Sequence, residues 1–222
     1  FLRRRPPLTE PVVVASGGSA VAPVTRSAGT LGLSPGALQA LLSIAGVGCC
    51  VAMSMPQVHI VAYCTDLGFG AARGAQMLSV MLAFGVVSRL ISGWISDRIG
   101  GLRTLLLGSL LQGVALLLFL PFDGLVSLFV VAALFGLFQG GIVPSYTLIV
   151  RDYFAPAEVG ARVGTVLMAT LFGMAIGGWM SGAIFDLTGS YRAAFVNGIA
   201  WNLLNLSIVL VLLYRARRYA TA

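Results

Sequence analysis

The chain has 222 residues, of which 58% are apolar and only 9% are charged. A soluble protein of this length needs more polar surface to cover its core, so the composition predicts an integral membrane protein. Its 14 basic residues are all arginines, and the net charge is +7. Since these arginines lie mostly at the ends of apolar segments, the charge fits orientation in a bilayer and argues against a nucleic-acid-binding surface.

Residues 1–36 are rich in Pro, Gly, Ser and Thr and show no apolar periodicity, which predicts a flexible, cationic, cytoplasmic linker. Phe1 and Leu2, followed by three arginines at positions 3–5, look like the end of an earlier transmembrane segment and its flank. We therefore expect the sequence to be a fragment in which the linker follows a missing N-terminal half.

A helix needs about 20 apolar residues to cross the roughly 30 Å apolar core of a bilayer. Beyond residue 36 the sequence divides into six segments of that size, separated by short polar breaks. They cover residues 37–64, 74–96, 104–120, 125–150, 163–185 and 193–214. Short connections make neighbouring helices antiparallel, so the predicted fold is an all-α bundle of six transmembrane helices over residues 37–218, with a cytoplasmic tail at 219–222.

The distribution of arginines predicts the orientation of this bundle. If the linker is cytoplasmic, eleven arginines lie on the cytoplasmic side and only Arg73 and Arg192 lie on the other side. Positive charge concentrates on cytoplasmic loops. Both termini are therefore expected in the cytoplasm, and the expected location is a bacterial-type inner membrane.

The sequence repeats at an offset of 89 residues. The pattern G-x-x-x-D-x-x-G-x-x-R at residues 93–103 recurs at residues 182–192. The offset equals three spans, an odd number, so the second copy must have the opposite orientation in the membrane. Inverted three-helix repeats are typical of transporters, which bind substrate near the midplane between repeated units. Chance similarity between glycine-rich loops is the alternative.

Arg89 is the charged residue that lies deepest in an apolar segment. It precedes Asp97 by eight residues, which places it about 12 Å into the membrane at 1.5 Å per residue. A guanidinium at that depth costs several kcal/mol unless it faces a partner or a cavity. Its fork of donors fits a carboxylate, which predicts an anion-binding site. The alternative is a structural ion pair with the missing half, since no acidic residue lies deep in the six segments.

His59, the only histidine, follows Pro56 in the first segment. Proline commonly kinks a helix, and such breaks often border sites in membrane proteins. Imidazole exchanges protons near neutral pH, so His59 is a candidate for substrate binding or proton coupling. A histidine hydrogen-bonded near the outer interface is the alternative.

The fourth segment contains the run Gln139-Gly140-Gly141 and then Pro144, which predicts an interrupted helix. Gln139 and Tyr146 could donate hydrogen bonds to a substrate. The glycines could instead serve only close helix packing.

Small and amide side chains predict helix–helix contacts in the last two segments. Gly173 and Gly177 form a G-x-x-x-G pair, which indicates a packing face or a surface that slides during gating. The asparagines are expected to form interhelical hydrogen bonds; they are Asn197, Asn202 and Asn205.

The three cysteines, which all lie in the first segment, are interpreted as small buried apolar residues; they are Cys49, Cys50 and Cys64.

Charged residues at the cytoplasmic ends of helices are candidates for a gating latch. Asp97 and Arg98 follow the second segment, and Glu158 and Arg162 have the i, i+4 spacing of a helical ion pair. Solvated loop charge is the alternative. We find no set of nucleophile, base and oxyanion donors and no metal-ligand spacing, so no enzyme, metal or cofactor is predicted.

These residues together resemble the C-terminal six-helix half of major facilitator superfamily transporters. The motif after the superfamily's eighth helix is matched by Gly93, Asp97, Arg98 and Gly100. Where a basic residue usually follows, this sequence has Gly101, and Arg103 comes two positions later. The resemblance implies a gating role for this loop.

Within the superfamily the chain is most similar to the monocarboxylate and oxalate/formate porter group. Arg89 followed by Gly93 resembles that group's eighth-helix arginine, which implies that Arg89 holds a substrate carboxylate. Monocarboxylate porters often have an aspartate one turn earlier, where this chain has Gly85.

The predicted function is secondary active transport of a small organic anion by alternating access, with proton coupling left open. The alternatives are a transporter of neutral or cationic solutes, with Arg89 paired to the missing half, and a non-transporting membrane scaffold.

Overall fold

The computed structural model describes residues 31–220, and the long elements in that range are all α-helices. They are α1 (Pro35–Asp66), α2 (Ala71–Ile99), α3 (Gly101–Leu118), α4 (Leu125–Gln139), α5 (Ile142–Tyr153), α6 (Val159–Thr188) and α7 (Tyr191–Ala220). Within the described residues six segments are long and apolar enough to cross a bilayer, with α4 and α5 forming one of them. The predicted all-α, six-span fold is confirmed.

The helices extend beyond the apolar segments that predicted them. α1 begins at Pro35, where Ser34 Oγ accepts a hydrogen bond of 3.2 Å from the Ala37 N–H, so the predicted linker boundary at residue 36 falls in the first helical turn. The rest of the linker, residues 1–30, lies outside the described residues. α7 includes Tyr219 and Ala220, so the predicted tail begins as helix, and residues 221–222 are again outside.

The predicted break at Asp97 and Arg98 is wrong, because both residues lie in the last turn of α2. The chain turns at Gly100, whose φ of +86° is accessible mainly to glycine. The Gly100 N–H caps α2 by donating to the Ser96 carbonyl at 2.8 Å. A helix can carry charged residues in its last turn once that turn has left the apolar core, since the backbone remains hydrogen-bonded.

The two copies of the sequence motif also share a backbone conformation at their second glycine. Gly189, the residue that corresponds to Gly100, also has a positive φ (+63°) and caps α6 by donating to the Phe185 carbonyl at 2.7 Å. Both glycines therefore end a long helix and lead into the next helix within two residues. The two copies of the motif occupy equivalent helix ends.

The fourth span is interrupted at Gly140–Gly141, as predicted. The three glycines around the break let it approach α2 closely: a Cβ atom would collide with the Met81 carbonyl at Gly136 and with the Gly85 carbonyl at Gly140. Small residues permit such close contacts between membrane helices. The interrupted helix and the close packing of its glycines are both observed, and a substrate-binding role for Gln139 and Tyr146 stays a prediction.

α6 packs against α1 through its predicted G-x-x-x-G pair. A Cβ at Gly173 would lie 2.8 Å from Val47 Cα, and one at Gly177 would lie 2.6 Å from Val51 Cα. Real Cβ atoms essentially never come so close to another backbone. The packing role predicted for these glycines is confirmed.

Side-chain amides connect the helices in the core of the bundle. Asn205 accepts a 2.9 Å hydrogen bond from Tyr146 Oη and donates one of 2.8 Å to Ser109 Oγ. Asn202 donates to Gln112 Oε1 at 3.1 Å. All five residues are buried, so α3, α5 and α7 are joined by a polar network inside an apolar bundle. The interhelical role predicted for these two asparagines is confirmed.

Asn197 does not fit the same prediction, since its Nδ2 is buried and has no hydrogen-bond partner among the described residues. The cysteines do fit: Cys49, Cys50 and Cys64 are at most 2% exposed and unoxidised. They pack as small apolar residues.

Candidate functional site

Arg89 lies within the membrane-spanning part of α2, about 15 Å from the end of the helix at Ile99. Its side chain is exposed on the surface of this bundle and forms no ion pair with any acidic residue in the described range. A charge at this depth is stable only in a protein- or water-lined environment. Arg89 therefore needs a polar partner or a water-filled cavity, which a ligand, solvent or another part of the protein can supply.

A cavity of about 160 Å³ lies beside Arg89, between α1, α2 and α4. Gln139 lines it from the end of α4, and Gln57 lines it from α1. Gln139 is only 4% exposed, and its Oε1 atom has no hydrogen-bond partner in the described structure. A buried polar atom without a partner costs free energy, so such atoms often mark a place where a ligand or water completes the hydrogen bonding.

A second cavity, of about 510 Å³ and more open, lies between Arg89 and α5. Val143 lines both cavities, and Pro144, Thr147 and Leu148 line the second. The first turn of α5 follows the helix break and has no side-chain cap. The N-terminal end of a helix carries partial positive charge, so the first turn of α5 contributes positive potential to this second cavity, whereas the end of α4, which borders the smaller cavity, carries partial negative charge.

Gly85 lines the smaller cavity one turn before Arg89. A Cβ atom at Gly85 would have one neighbour within 4 Å, the Gly136 carbonyl at 3.8 Å, so the position has room for a side chain that the sequence does not supply. The residues lining the two cavities include no Asp, Glu, His or Cys. Within the described residues, this part of the site thus combines one guanidinium with amide, hydroxyl and apolar side chains and has no carboxylate, imidazole or thiol.

The structure brings Arg89 and Gln139 together, as the sequence predicted, but it separates His59 from them. His59 Nε2 lies 2.9 Å from the Gly178 carbonyl of α6, so that nitrogen donates and the ring joins α1 to α6. Gln57 was missed, although it follows Pro56 directly and lines the Arg89 cavity. In this turn of α1 the helical register points Gln57 into the Arg89 cavity and His59 towards α6.

Tyr146 also lies away from Arg89. It is fully buried and donates to Asn205 on α7, while other α5 residues line the cavity. In its observed position Tyr146 holds α5 against α7 instead of facing a ligand.

The predicted gating residues lie at one end of the bundle. Glu158 and Arg162 form an ion pair of 2.7 Å, which confirms the local pair expected from their spacing. The Arg162 guanidinium lies 4.2 Å from the centroid of the Phe154 ring, and the Arg162 carbonyl accepts from Gln39 Nε2 on α1 at 3.2 Å. These contacts join the start of α6 to α1 and to the end of α5.

The loop-motif residues are more open to the surface. Arg98 lies over the Trp94 ring at 4.9 Å, and both residues are exposed. A Cβ atom added at Gly93 would have no neighbour within 4 Å. Asp97 and Arg103 are also exposed. The structure thus leaves this surface available for contacts outside the bundle, and a gating role for it stays a prediction.

Comparison with known proteins gives one family and several relatives. Residues 40–222 match the Major Facilitator Superfamily. The chain is 32% identical over 160 residues to Monocarboxylate transporter 13 of Rattus norvegicus, covering 71% of this chain and 37% of that protein. It is 30% identical over 142 residues to Probable anion transporter 5 of Arabidopsis thaliana, covering 62% of this chain and 33% of that protein. It is 25% identical over 132 residues to Multidrug export protein EmrB of Haemophilus influenzae, covering 58% and 26%. The chain spans between 26% and 38% of the length of the curated relatives that it matches.

Proposed function

Because the chain belongs to the Major Facilitator Superfamily, we propose that the whole protein is a secondary active transporter that moves a small organic anion, a carboxylate, across the membrane by alternating access. The observation that carries the proposal is Arg89, a guanidinium deep in α2 that has no acidic partner in the described structure and borders two cavities. The names of two similar proteins, a monocarboxylate transporter and a probable anion transporter, support the same cargo class.

In the proposed site Arg89 donates two parallel hydrogen bonds to the carboxylate. The unpartnered amide of Gln139 and the neighbouring Gln57 bind other polar atoms of the substrate and fix its orientation. The uncapped first turn of α5 adds positive potential at the second cavity. Discontinuous helices whose N-terminal ends face an anionic substrate are a recurrent feature of transporters.

Alternating access requires a second bundle that rocks against this one. The exposed apolar residues on α2 and α6 offer a surface for it; they include Leu82, Val86, Leu90, Leu171 and Trp179. In the proposed arrangement an N-terminal six-helix half packs here and completes the site around Arg89. The ion pair of Glu158 with Arg162 and the motif residues near Asp97 then lie at the cytoplasmic gate.

The orientation belongs to the same proposal. The arginine-rich end of the bundle faces the cytoplasm, with both termini on that side, and the membrane is a plasma membrane of bacterial type. Among the described residues, no Asp, Glu, His or Cys lines the Arg89 cavities, and proton coupling stays open in this proposal.

The test is uptake of a panel of labelled carboxylates, with labelled neutral and cationic solutes of similar size beside them, by proteoliposomes that contain the full-length protein, and protein-free liposomes are the control. We expect at least one short-chain carboxylate to enter faster in the presence of the protein and to be competed by the unlabelled acid. If only neutral or cationic solutes enter, Arg89 pairs with an acid elsewhere in the protein and the cargo class is wrong. If no solute enters, the scaffold alternative is favoured.

Replacing Gln139 with leucine is expected to raise the KM for the transported carboxylate roughly 5- to 100-fold, since a lost hydrogen bond to a buried group costs about 1–3 kcal/mol. Thermal stability should not fall, because Gln139 Oε1 has no partner to lose in the described structure. Concentration-dependent uptake and a melting curve measure the two effects.

The matched control is Gln76→Leu, in which the replaced residue is an exposed glutamine on α2 that accepts a hydrogen bond from Arg73. The KM of this variant should stay within about twofold of the wild-type value, as expected for a surface change away from the site. A Gln139→Leu protein with wild-type KM would remove Gln139 from the proposed site.

A further inference from the structure

A separate cavity of about 460 Å³ lies at the arginine-rich end of the bundle, among the end of α2, the start of α3, the end of α5 and the last turns of α7. Its charged lining residues are Arg98, Arg103, Arg217 and Asp152. Three arginines against one aspartate give this lining a net charge of +2. The cavity therefore favours an anion and is distinct from the cavities beside Arg89.

The backbone at the start of α3 adds to this preference. Gly100, Gly101 and Leu102 line the cavity, and no side chain caps the helix there. The first N–H groups of a helix have no partner within the helix, and they carry the positive end of its dipole. Helix N-termini beside arginines are well suited to phosphate groups.

Neighbouring side chains place the cavity at the level of lipid headgroups. Trp94, Tyr214 and Tyr219 are 61%, 66% and 48% exposed around this end of the bundle, and Tyr219 lines the cavity itself. Tryptophan and tyrosine concentrate at the interface between the apolar core and the headgroups. Leu213 and Ala216 add an apolar wall on α7.

From these observations we propose that the cavity binds the phosphate group of an anionic phospholipid. Arg98, Arg103 and the α3 N-terminus bind the phosphate, and the apolar wall on α7 contacts the glycerol and acyl part. A soluble phosphate compound shares the charge but would leave that wall unused. A bound lipid would bridge the α2–α3 connection to α7, so it would also hold the exposed motif residue Arg98 in place.

The experiment is native mass spectrometry of the full-length protein in detergent with three probes: phosphatidylglycerol, phosphatidylcholine and inorganic phosphate. The wild type should retain one phosphatidylglycerol about tenfold more tightly than phosphatidylcholine. The double variant Arg98→Gln/Arg103→Gln should lose most of that preference. The reason is that each basic residue near a membrane surface contributes about 1 kcal/mol to binding an anionic lipid, or roughly fivefold in affinity. The matched control is Arg151→Gln, which removes an exposed arginine from the same end that does not line the cavity.

Several results would overturn the proposal. It is wrong if the double variant keeps the wild-type preference, if Arg151→Gln loses as much, or if phosphatidylcholine binds equally well. If inorganic phosphate alone binds with the same dependence on Arg98 and Arg103 while phosphatidylglycerol does not, the site takes a soluble anion and the lipid assignment is wrong. If the double variant cannot be purified, Arg103→Lys replaces it, because lysine keeps the positive charge but lacks the paired N–H donors of the guanidinium. An Arg103→Lys protein that binds phosphatidylglycerol with wild-type affinity would count against a phosphate held by Arg103.

Discussion

Replacing Arg89 with glutamine should lower kcat/KM for carboxylate uptake at least about 30-fold, because removing one partner of a desolvated charge pair costs about 2 kcal/mol or more. Replacing Arg89 with lysine should cost about tenfold, because the ammonium keeps the charge but cannot form two parallel hydrogen bonds with a carboxylate. Initial uptake rates in proteoliposomes, at matched amounts of inserted protein, measure both changes.

The same helix offers a control for this experiment. Arg73 is also an exposed arginine of α2, but it lies near the other end of the helix and bonds to Gln76. Arg73→Gln removes the same charge and should keep near-wild-type uptake. The proposal for Arg89 is contradicted if both variants lose uptake equally or if neither does.

Substitution of Gly177 by valine should destabilise the bundle by about 3 kcal/mol or more, the upper range for overpacking, and most of the protein should fail to fold. The added Cβ would lie 2.6 Å from Val51 Cα and 2.8 Å from the Val51 carbonyl oxygen. Both atoms belong to the α1 backbone, so no side-chain rotation can relieve the contact and the helices must separate. The yield of monodisperse protein after extraction and its apparent melting temperature report the effect.

Gly164→Val is the matched control, because Gly164 lies in the same helix with nothing within 4 Å of an added Cβ. It should fold like the wild type, since valine at an exposed helical position changes stability little. Equal yields of the two variants would mean that α1 and α6 are not as close as the structure has them.

The membrane fold could be predicted from sequence because the bilayer sets the length of each apolar helix. The boundaries were less accurate because helices continue past the apolar core. Asp97 and Arg98 were assigned to a loop for their charge, yet the backbone turns only at Gly100. The family was predicted from the loop motif and Arg89, and the match to the Major Facilitator Superfamily confirms it.

Within that family, the predicted similarity to monocarboxylate transporters is also confirmed by a named relative. Grouping the chain with oxalate/formate porters stays a prediction, as do the inner membrane and the orientation. The orientation does not follow from the helices alone, because the length of the apolar segments fixes only the number of spans, and the charges of the loops determine their direction.

The site was predicted less completely than the fold, because depth in the membrane can be counted along the sequence but the facing of a side chain depends on packing. Residues two apart lie about 200° apart around a helix, so Gln57 and His59 cannot face the same cavity. The same spacing separates Tyr146 from Leu148, and Leu148 is the one that lines the Arg89 site. The predicted residues lie in helical turns that border the Arg89 cavities, but in each of these two pairs the residue two positions away is the one that lines a cavity.

The central claim is that Arg89 recognises the negative charge of a carboxylate. Calorimetric binding of one transported carboxylate and of its primary amide, to the full-length wild type and to Arg89→Gln, tests it most directly. The wild type should bind the acid at least about tenfold more tightly than the amide, as expected for hydrogen bonds to a charged group, and Arg89→Gln should bind the two alike. If Arg89→Gln keeps the wild-type preference for the acid, the charge is recognised elsewhere and Arg89 is not the anion site.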